Sequence, residues 1–258
     1  MDNELSSRAA TTADIEVQQH SPVRSITLHL LPGVVMLAFF LILGPLAETL
    51  GMPSLFVLFL GIPCVIVPIE LGYLLYQGKQ KNGSFSLKGV VLYREPIPLW
   101  QYFVLVALGL AWMGFLFFAV APLIDRFLID KFFSGLPAWF FGATKGLDQY
   151  ARSRLLLAGT VGVVFNGIAG PIVEELYFRG YLLPRISYMG KWAPVISSVL
   201  FSVYHFFTPW QNPVRLMALL PMTYIVAWNK NIYWGMIVHA SINTLAMIMF
   251  LVSVGSAP

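Results

Sequence analysis

Residues 54–76 read SLFVLFLGIPCVIVPIELGYLLY and contain a single charged side chain, Glu70. A run of this length is long enough to cross the hydrocarbon core of a bilayer as a helix, which takes roughly 20 apolar residues. The whole chain has the same character, since 58% of its 258 residues are hydrophobic and 11% are charged. Soluble domains are roughly 25% charged, so this composition excludes an ordinary soluble domain, a disordered chain and a disulfide scaffold.

Apolar runs of similar length recur along the rest of the chain. They lie at about 26–47, 99–124, 155–173, 193–208, 213–229 and 232–253. Together with 54–76 they predict an all-α, polytopic transmembrane helix bundle of about seven to eight spans. The apolar residues are continuous and do not alternate with polar ones, so a transmembrane β-barrel is not expected.

The distribution of polar residues divides the chain into four parts. We predict a flexible N-terminal tail over 1–24, a first set of transmembrane helices over 25–124, a loop with a short interfacial helix over 125–154, and a second helix bundle over 155–254. Only the last part carries several polar groups of specific types inside its spans. Any chemistry is therefore expected there.

Loop charges predict the orientation of the bundle. Residues 77–98 contain four basic side chains and one acidic side chain, Glu95. The positive-inside rule places this loop and the N-terminus in the cytoplasm. The net charge of +4 then reflects lipid orientation, and no nucleic-acid partner is expected. We expect a multi-pass protein of a bacterial-type plasma membrane, in which Glu70 has a structural role near the cytoplasmic end of its span.

The ionisable residues of the C-terminal part are few and clustered. After Asp148 the chain holds only two acidic residues, the adjacent Glu174 and Glu175. On a helix, Glu175 and Arg179 share a face and can form an ion pair. Glu174 points about 100° away from that face and has no such partner. An unpaired carboxylate in an apolar wall suits a general acid or base.

Two histidines complete a set of polar groups. His205 follows Phe201 by four residues, and Asn243 follows His239 by four, so each pair shares a helical face. One free carboxylate, two imidazoles and one carboxamide can thus converge from three helices. With a cytoplasmic end near residue 180, a rise of 1.5 Å per residue puts Glu174 about 9 Å deep. We therefore expect a polar cavity inside the bilayer that opens to the cytoplasm.

Three motifs resemble those of a known family. Glu174-Glu175-x-x-x-Arg179, Phe201-x-x-x-His205 and His239-x-x-x-Asn243 are similar, in this order, to the motifs of the CPBP family, the intramembrane proteases related to the CAAX prenyl endopeptidases and to bacteriocin-processing and immunity proteins. The resemblance covers about 155–254. It implies an endopeptidase that hydrolyses a peptide bond of a membrane-associated peptide or protein.

The resemblance also implies roles for individual residues. Glu174 and His205 would activate the attacking water, and His239 with Asn243 would stabilise the developing oxyanion. Glu175 and Arg179 would brace the helix, or Arg179 would bind a substrate carboxylate. Phe201 would support the site by packing.

The sequence does not decide whether the site uses a metal ion, and it leaves two rival functions open. Glu174, His205 and His239 form an acceptable donor set for a single divalent metal such as zinc, but no His-Glu-x-x-His motif is present, and we favour metal-independent, glutamate-based catalysis. A proton-coupled transporter could use the same residues as a relay. A non-catalytic bacteriocin-immunity or partner-binding membrane protein could retain them as a scaffold.

Overall fold

The computed structural model describes residues 17–142 and 146–256, and these residues form a bundle built around seven main helices. The helices are α1 (Pro22–Thr49), α2 (Ser54–Asn82), α3 (Leu99–Phe133), α4 (Arg152–Met189), α5 (Trp192–Tyr204), α6 (Asn212–Asn229) and α7 (Tyr233–Ser256). Each apolar run of the sequence coincides with one helix, and no β-strand forms within the described ranges. The predicted all-α membrane bundle is confirmed.

Five of these helices are long and apolar enough to cross a bilayer. They are α1, α2, α3, α4 and α7. Helix α5 has 13 residues and is therefore about 20 Å long, against a hydrocarbon core of about 30 Å. Helix α6 has 18 residues but includes the buried Arg215. The chain thus turns back after α5 inside the bundle, where the adjoining loop buries Trp210 to 1% exposure.

Three connections and the N-terminal segment meet at one end of the bundle. The backbone N–H of Leu92 donates to the carbonyl oxygen of Gly180 over 2.8 Å, and the Asn231 side chain donates to the carbonyl oxygen of Glu95 over 2.6 Å. We call this the basic end, because its segments and helix termini carry Arg24, Lys79, Lys81, Lys88, Arg94, Arg185, Lys191 and Lys230. It is the end that the loop charges assign to the cytoplasm.

The N-terminal segment differs from the predicted flexible tail in its last residues. Residues 1–16 lie outside the described ranges. The backbone N–H of His20 donates to the carbonyl oxygen of Arg185 over 2.8 Å, and its imidazole packs against Tyr181 with ring centroids 5.6 Å apart. Burial, reinforced by nearby arginines, lowers the pKa of His20 to about 4. A neutral imidazole therefore docks this segment onto α4.

The segment 125–154 also differs from the predicted loop. Helix α3 continues to Phe133, and a short 3-10 helix forms at Ala138–Phe141. Its rings pack against the bundle, and Trp139 meets Phe40 of α1 edge-on with centroids 5.4 Å apart. This aromatic turn is buried because it covers the end of the bundle opposite the basic end.

Gly33 sets the distance between α1 and the end of α5. A Cβ atom at this position would overlap the carbonyl oxygen of Tyr204, so we expect Gly33→Ala to destabilise the protein by about 1–3 kcal/mol. Gly72→Ala in α2 is the matched control, because nothing lies within 4 Å of its added Cβ, and it should be neutral or slightly stabilising. Thermal unfolding of both variants in lipid nanodiscs provides the measurement. Equal melting temperatures for the two variants would contradict the close contact.

Candidate active site

Three helices bring one carboxylate and two imidazoles together. Glu174 projects from α4, His205 follows the last residue of α5, and His239 lies in the second turn of α7. The Nε2 atom of His205 lies 3.9 Å from Oε1 of Glu174, and the Nε2 atom of His239 lies 3.8 Å from Oε2. Both distances exceed a direct hydrogen bond. Each imidazole therefore faces its own oxygen of the same carboxylate without being bound to it.

The position of His205 determines which nitrogen carries its proton. Because the helix ends at Tyr204, the carbonyl oxygen of Phe201 has no partner further along the helix. The Nδ1 atom of His205 lies 2.9 Å from that oxygen. A carbonyl oxygen only accepts hydrogen bonds, so Nδ1 is the donor. In the neutral ring, Nε2 then presents a lone pair toward Glu174.

His239 links Glu174 to the buried ion pair behind it. Its Nδ1 atom lies 3.0 Å from Oε1 of Glu175, and the same oxygen lies 3.3 Å from Nη1 of Arg179. The predicted pairing of Glu175 with Arg179 is therefore present. Both of these side chains are 0% exposed. As placed, Arg179 cannot reach a substrate carboxylate, and of the two roles considered for it only the bracing role fits this geometry.

Phe201 packs at the centre of the supporting residues. The Arg179 guanidinium lies 4.1 Å from the centroid of its ring, and the rings of Phe178 and His205 meet it edge-on at 4.7 and 5.0 Å. A cation over an aromatic face is stabilised even where no water is present. Phe201 thus holds both the buried arginine and the imidazole of His205.

Tyr204 is a site residue that the sequence motifs do not contain. Its hydroxyl donates to Oε1 of Glu174 over 2.8 Å, so the carboxylate without a helical partner finds one on another helix. No spacing rule relates the two residues, which are 30 positions apart. The only available signal is that Tyr204 immediately precedes His205 in a polar segment of an otherwise apolar run.

Asn243 lies one helical turn beyond His239, as its spacing predicts. Its amide donates to the backbone carbonyl oxygen of Asn166 over 3.1 Å. An amide carries two N–H donors, so one remains after this bond. The structure therefore brings Glu174, His205 and His239 into one cluster and places Asn243 at its edge, attached to α4.

The depth of the cluster follows from its contact with α1. Gly33, which touches Tyr204, lies about 16 Å along α1 from Pro22 at the basic end and about 24 Å from Thr49. The site thus lies near the middle of the bundle.

The proposed reacting groups are partly exposed, whereas the residues behind them are fully buried. The side chains of Glu174, His205 and His239 are 11%, 14% and 10% exposed, whereas Glu175 and Arg179 have no exposed surface. A small molecule such as water can reach the first three. The buried pair can act only through the residues it holds.

The donor atoms do not match a metal centre as they stand. Within 17–142 and 146–256, no three His, Cys, Asp or Glu side chains form a group that could hold a metal ion. Ligands of a tetrahedral zinc, with bonds of about 2.0–2.1 Å, lie about 3.3 Å from one another, whereas the Glu174 oxygens lie 3.8 and 3.9 Å from the imidazole nitrogens. These distances do not fit a bound zinc ion.

The C-terminal segment is similar to a known protein family. Residues 156–245 match the family model of the Type II CAAX prenyl endopeptidase Rce1-like proteins. The resemblance to the CPBP intramembrane proteases is thereby confirmed for this segment, which contains all three motifs.

A curated bacterial protein is similar to part of the chain. It is the UPF0177 protein YxdF of Lactococcus lactis subsp. lactis (strain IL1403), which is 37% identical over 81 residues. The alignment covers 30% of this chain and 43% of the length of that relative. No solved structure matches significantly.

Proposed function

We propose that the protein is an intramembrane endopeptidase of the CAAX-protease type, which hydrolyses a peptide bond of a membrane-associated peptide or protein. The observation that carries this proposal is the cluster itself, in which two imidazole Nε2 atoms from different helices face the two oxygens of Glu174. The family match of residues 156–245 supports the same reaction class. The basic end supports a site that is reached from the cytoplasm of a bacterial-type cell.

Glu174 and His205 act as the base in this mechanism. Tyr204 donates to Oε1 of Glu174, so Oε2 is the oxygen free to take a proton from water. The Nε2 lone pair of His205, which faces Oε1, accepts the second hydrogen bond of the same water. The water oxygen forms a bond to the peptide carbonyl carbon as its proton moves to the carboxylate. That proton is then passed to the amide nitrogen, the C–N bond breaks, and Glu174 returns to its carboxylate form.

His239 and Asn243 act as donors to the oxyanion. The Nδ1 atom of His239 donates to Glu175, so the ring acts as an oxyanion donor through Nε2 in its doubly protonated form. Asn243 adds the amide N–H that is not used by Asn166. Two donors directed at the developing negative charge stabilise it without rearrangement.

The proposal is tested with purified protein in lipid vesicles and a panel of prenylated and unprenylated membrane peptides, with mass spectrometry to detect new termini. We expect cleavage when peptides are added on the side of the basic end, and its loss in His205→Ala. His20→Ala, which removes a histidine remote from the site, is the matched control. Proton flux without cleavage would indicate a transporter. Peptide binding with neither activity would indicate a partner-binding protein.

A further inference from the structure

Glu70 is a second carboxyl group beside the site, and it comes from the N-terminal half of the chain. Its predicted position near the cytoplasmic end is wrong. It lies in a π-helical stretch in the middle of α2, about 18 Å along the helix from Asn82, and it is 0% exposed. It therefore cannot extend to water, and it lies at about the same depth as Tyr204 and Glu174.

Four polar groups lie within electrostatic reach of the Glu70 carboxyl: Glu174, Arg179 and Tyr177 on α4, and Tyr204 on α5. Arg179 is held by Glu175 and Phe201. The Tyr177 hydroxyl donates to a backbone carbonyl oxygen of α1 over 2.8 Å. This leaves Tyr204 and Glu174 as the groups that can respond to Glu70.

The Glu70 carboxyl has no partner of its own. In the described part of the chain, neither of its oxygens completes a hydrogen bond. A fully buried polar group without a partner costs on the order of 1–3 kcal/mol, and more when it is charged. If this position only packed helices together, an apolar residue would fill it without that free-energy cost. The carboxyl group of Glu70 therefore indicates a role beyond packing.

The number of protons available for donation limits how Glu70 can interact with Tyr204. The single hydroxyl proton of Tyr204 is already donated to Oε1 of Glu174. The Tyr204 oxygen can therefore only accept from Glu70. A carboxyl group donates only when it carries a proton, so a chain from Glu70 through Tyr204 to Glu174 requires the acid form of Glu70.

We propose that Glu70 is a positioning residue for Glu174: its protonated carboxyl donates to the Tyr204 hydroxyl, holds the tyrosine proton on Oε1 of Glu174, and so leaves Oε2 for the attacking water. This inference rests on the proposed peptidase function. Glu70 keeps its proton throughout, while Glu174 takes the proton of water and returns it to the leaving amine. A residue outside the segment that matches the family model thus contributes to the site.

Steady-state kinetics test the role in catalysis. Glu70→Leu should lower kcat by about tenfold with little change in KM, because one positioning hydrogen bond is lost. Glu70→Gln should retain most of kcat, because its amide N–H can still donate to Tyr204. Combining Glu70→Leu with Tyr204→Phe should cost no more than Tyr204→Phe alone, because both act through one chain. Glu48→Leu, at the far end of α1, is the matched control.

Infrared spectroscopy tests the protonated state without any assay of activity. The wild-type protein should show the carbonyl stretch of a protonated carboxylic acid, and Glu70→Gln should remove it. Because Glu70→Gln preserves the size of the side chain, this test can be carried out even if Glu70→Leu lowers the yield of folded protein. A band that persists in Glu70→Gln, or additive losses in the double variant, would overturn the inference. Wild-type protein that cleaves no peptide would instead overturn the proposed function.

Discussion

Glu174→Gln is expected to lower kcat for peptide cleavage by about 10²–10⁴-fold, the contribution that a positioned general base makes. The substitution keeps the size of the side chain and an oxygen that can accept from Tyr204, whose hydroxyl lies 2.8 Å from Oε1. It removes the capacity to take a proton from water. The fold should therefore survive while the chemical step is lost.

Initial rates in nanodiscs at saturating peptide, together with the melting temperature of each variant, provide the measurement. Glu48→Gln is the matched control, because it makes the same chemical change at the far end of α1 from the basic end and should leave kcat as it is. A Glu174→Gln protein that kept more than about one tenth of the wild-type kcat would remove Glu174 from the role of base.

Glu175→Ala is expected to cost about 3–5 kcal/mol of unfolding free energy, the penalty for leaving a buried charge without its partner. Arg179 is fully buried, and in the described part of the chain none of its N–H groups meets hydrogen-bond geometry. Its stabilisation comes from the carboxylate 3.3 Å away and the Phe201 ring 4.1 Å away. Removal of Glu175 takes away the nearer of these two partners and leaves the guanidinium against the ring.

Reversible unfolding in mixed detergent micelles measures this penalty. The variant that combines Glu175→Leu with Arg179→Met should recover part of the loss, because it buries no charge. If the combined variant is as unstable as the sum of the two single substitutions, the two residues do not stabilise the fold as a pair. In every variant that removes Glu175, His239 loses its Nδ1 partner, so cleavage should fall even where stability recovers.

Local spacing predicted those parts of the site that lie within single helices. Glu175 and Arg179 pair at four residues, and His205 bonds the carbonyl oxygen of Phe201, four residues before it. These contacts follow from the 3.6-residue period, which holds wherever a helix forms. The apolar runs predicted the helices for the same reason, since the lipid requires every backbone group to be satisfied within its own segment.

Contacts between helices carry no such period, and the sequence did not predict them. Tyr204 of α5 contacts Glu174, and Glu70 of α2 lies within electrostatic reach of it, and neither residue belongs to a spaced motif. The contact between the end of the short α5 and Gly33 of α1 is of the same kind, because the two residues are far apart in the sequence.

The sequence by itself was thus sufficient to predict a helical membrane bundle. It also indicated which polar residue types in the C-terminal helices are candidates for catalysis. Composition and periodicity are sufficient for this, because charge is scarce and costly in lipid. Only the tertiary structure decided which oxygen of Glu174 faces which imidazole. It also decided that Arg179 is fully buried against Glu175, and that Glu70 lies within electrostatic reach of Tyr204. Those outcomes depend on how helices distant in sequence pack, and packing is set by side-chain shape across the whole bundle.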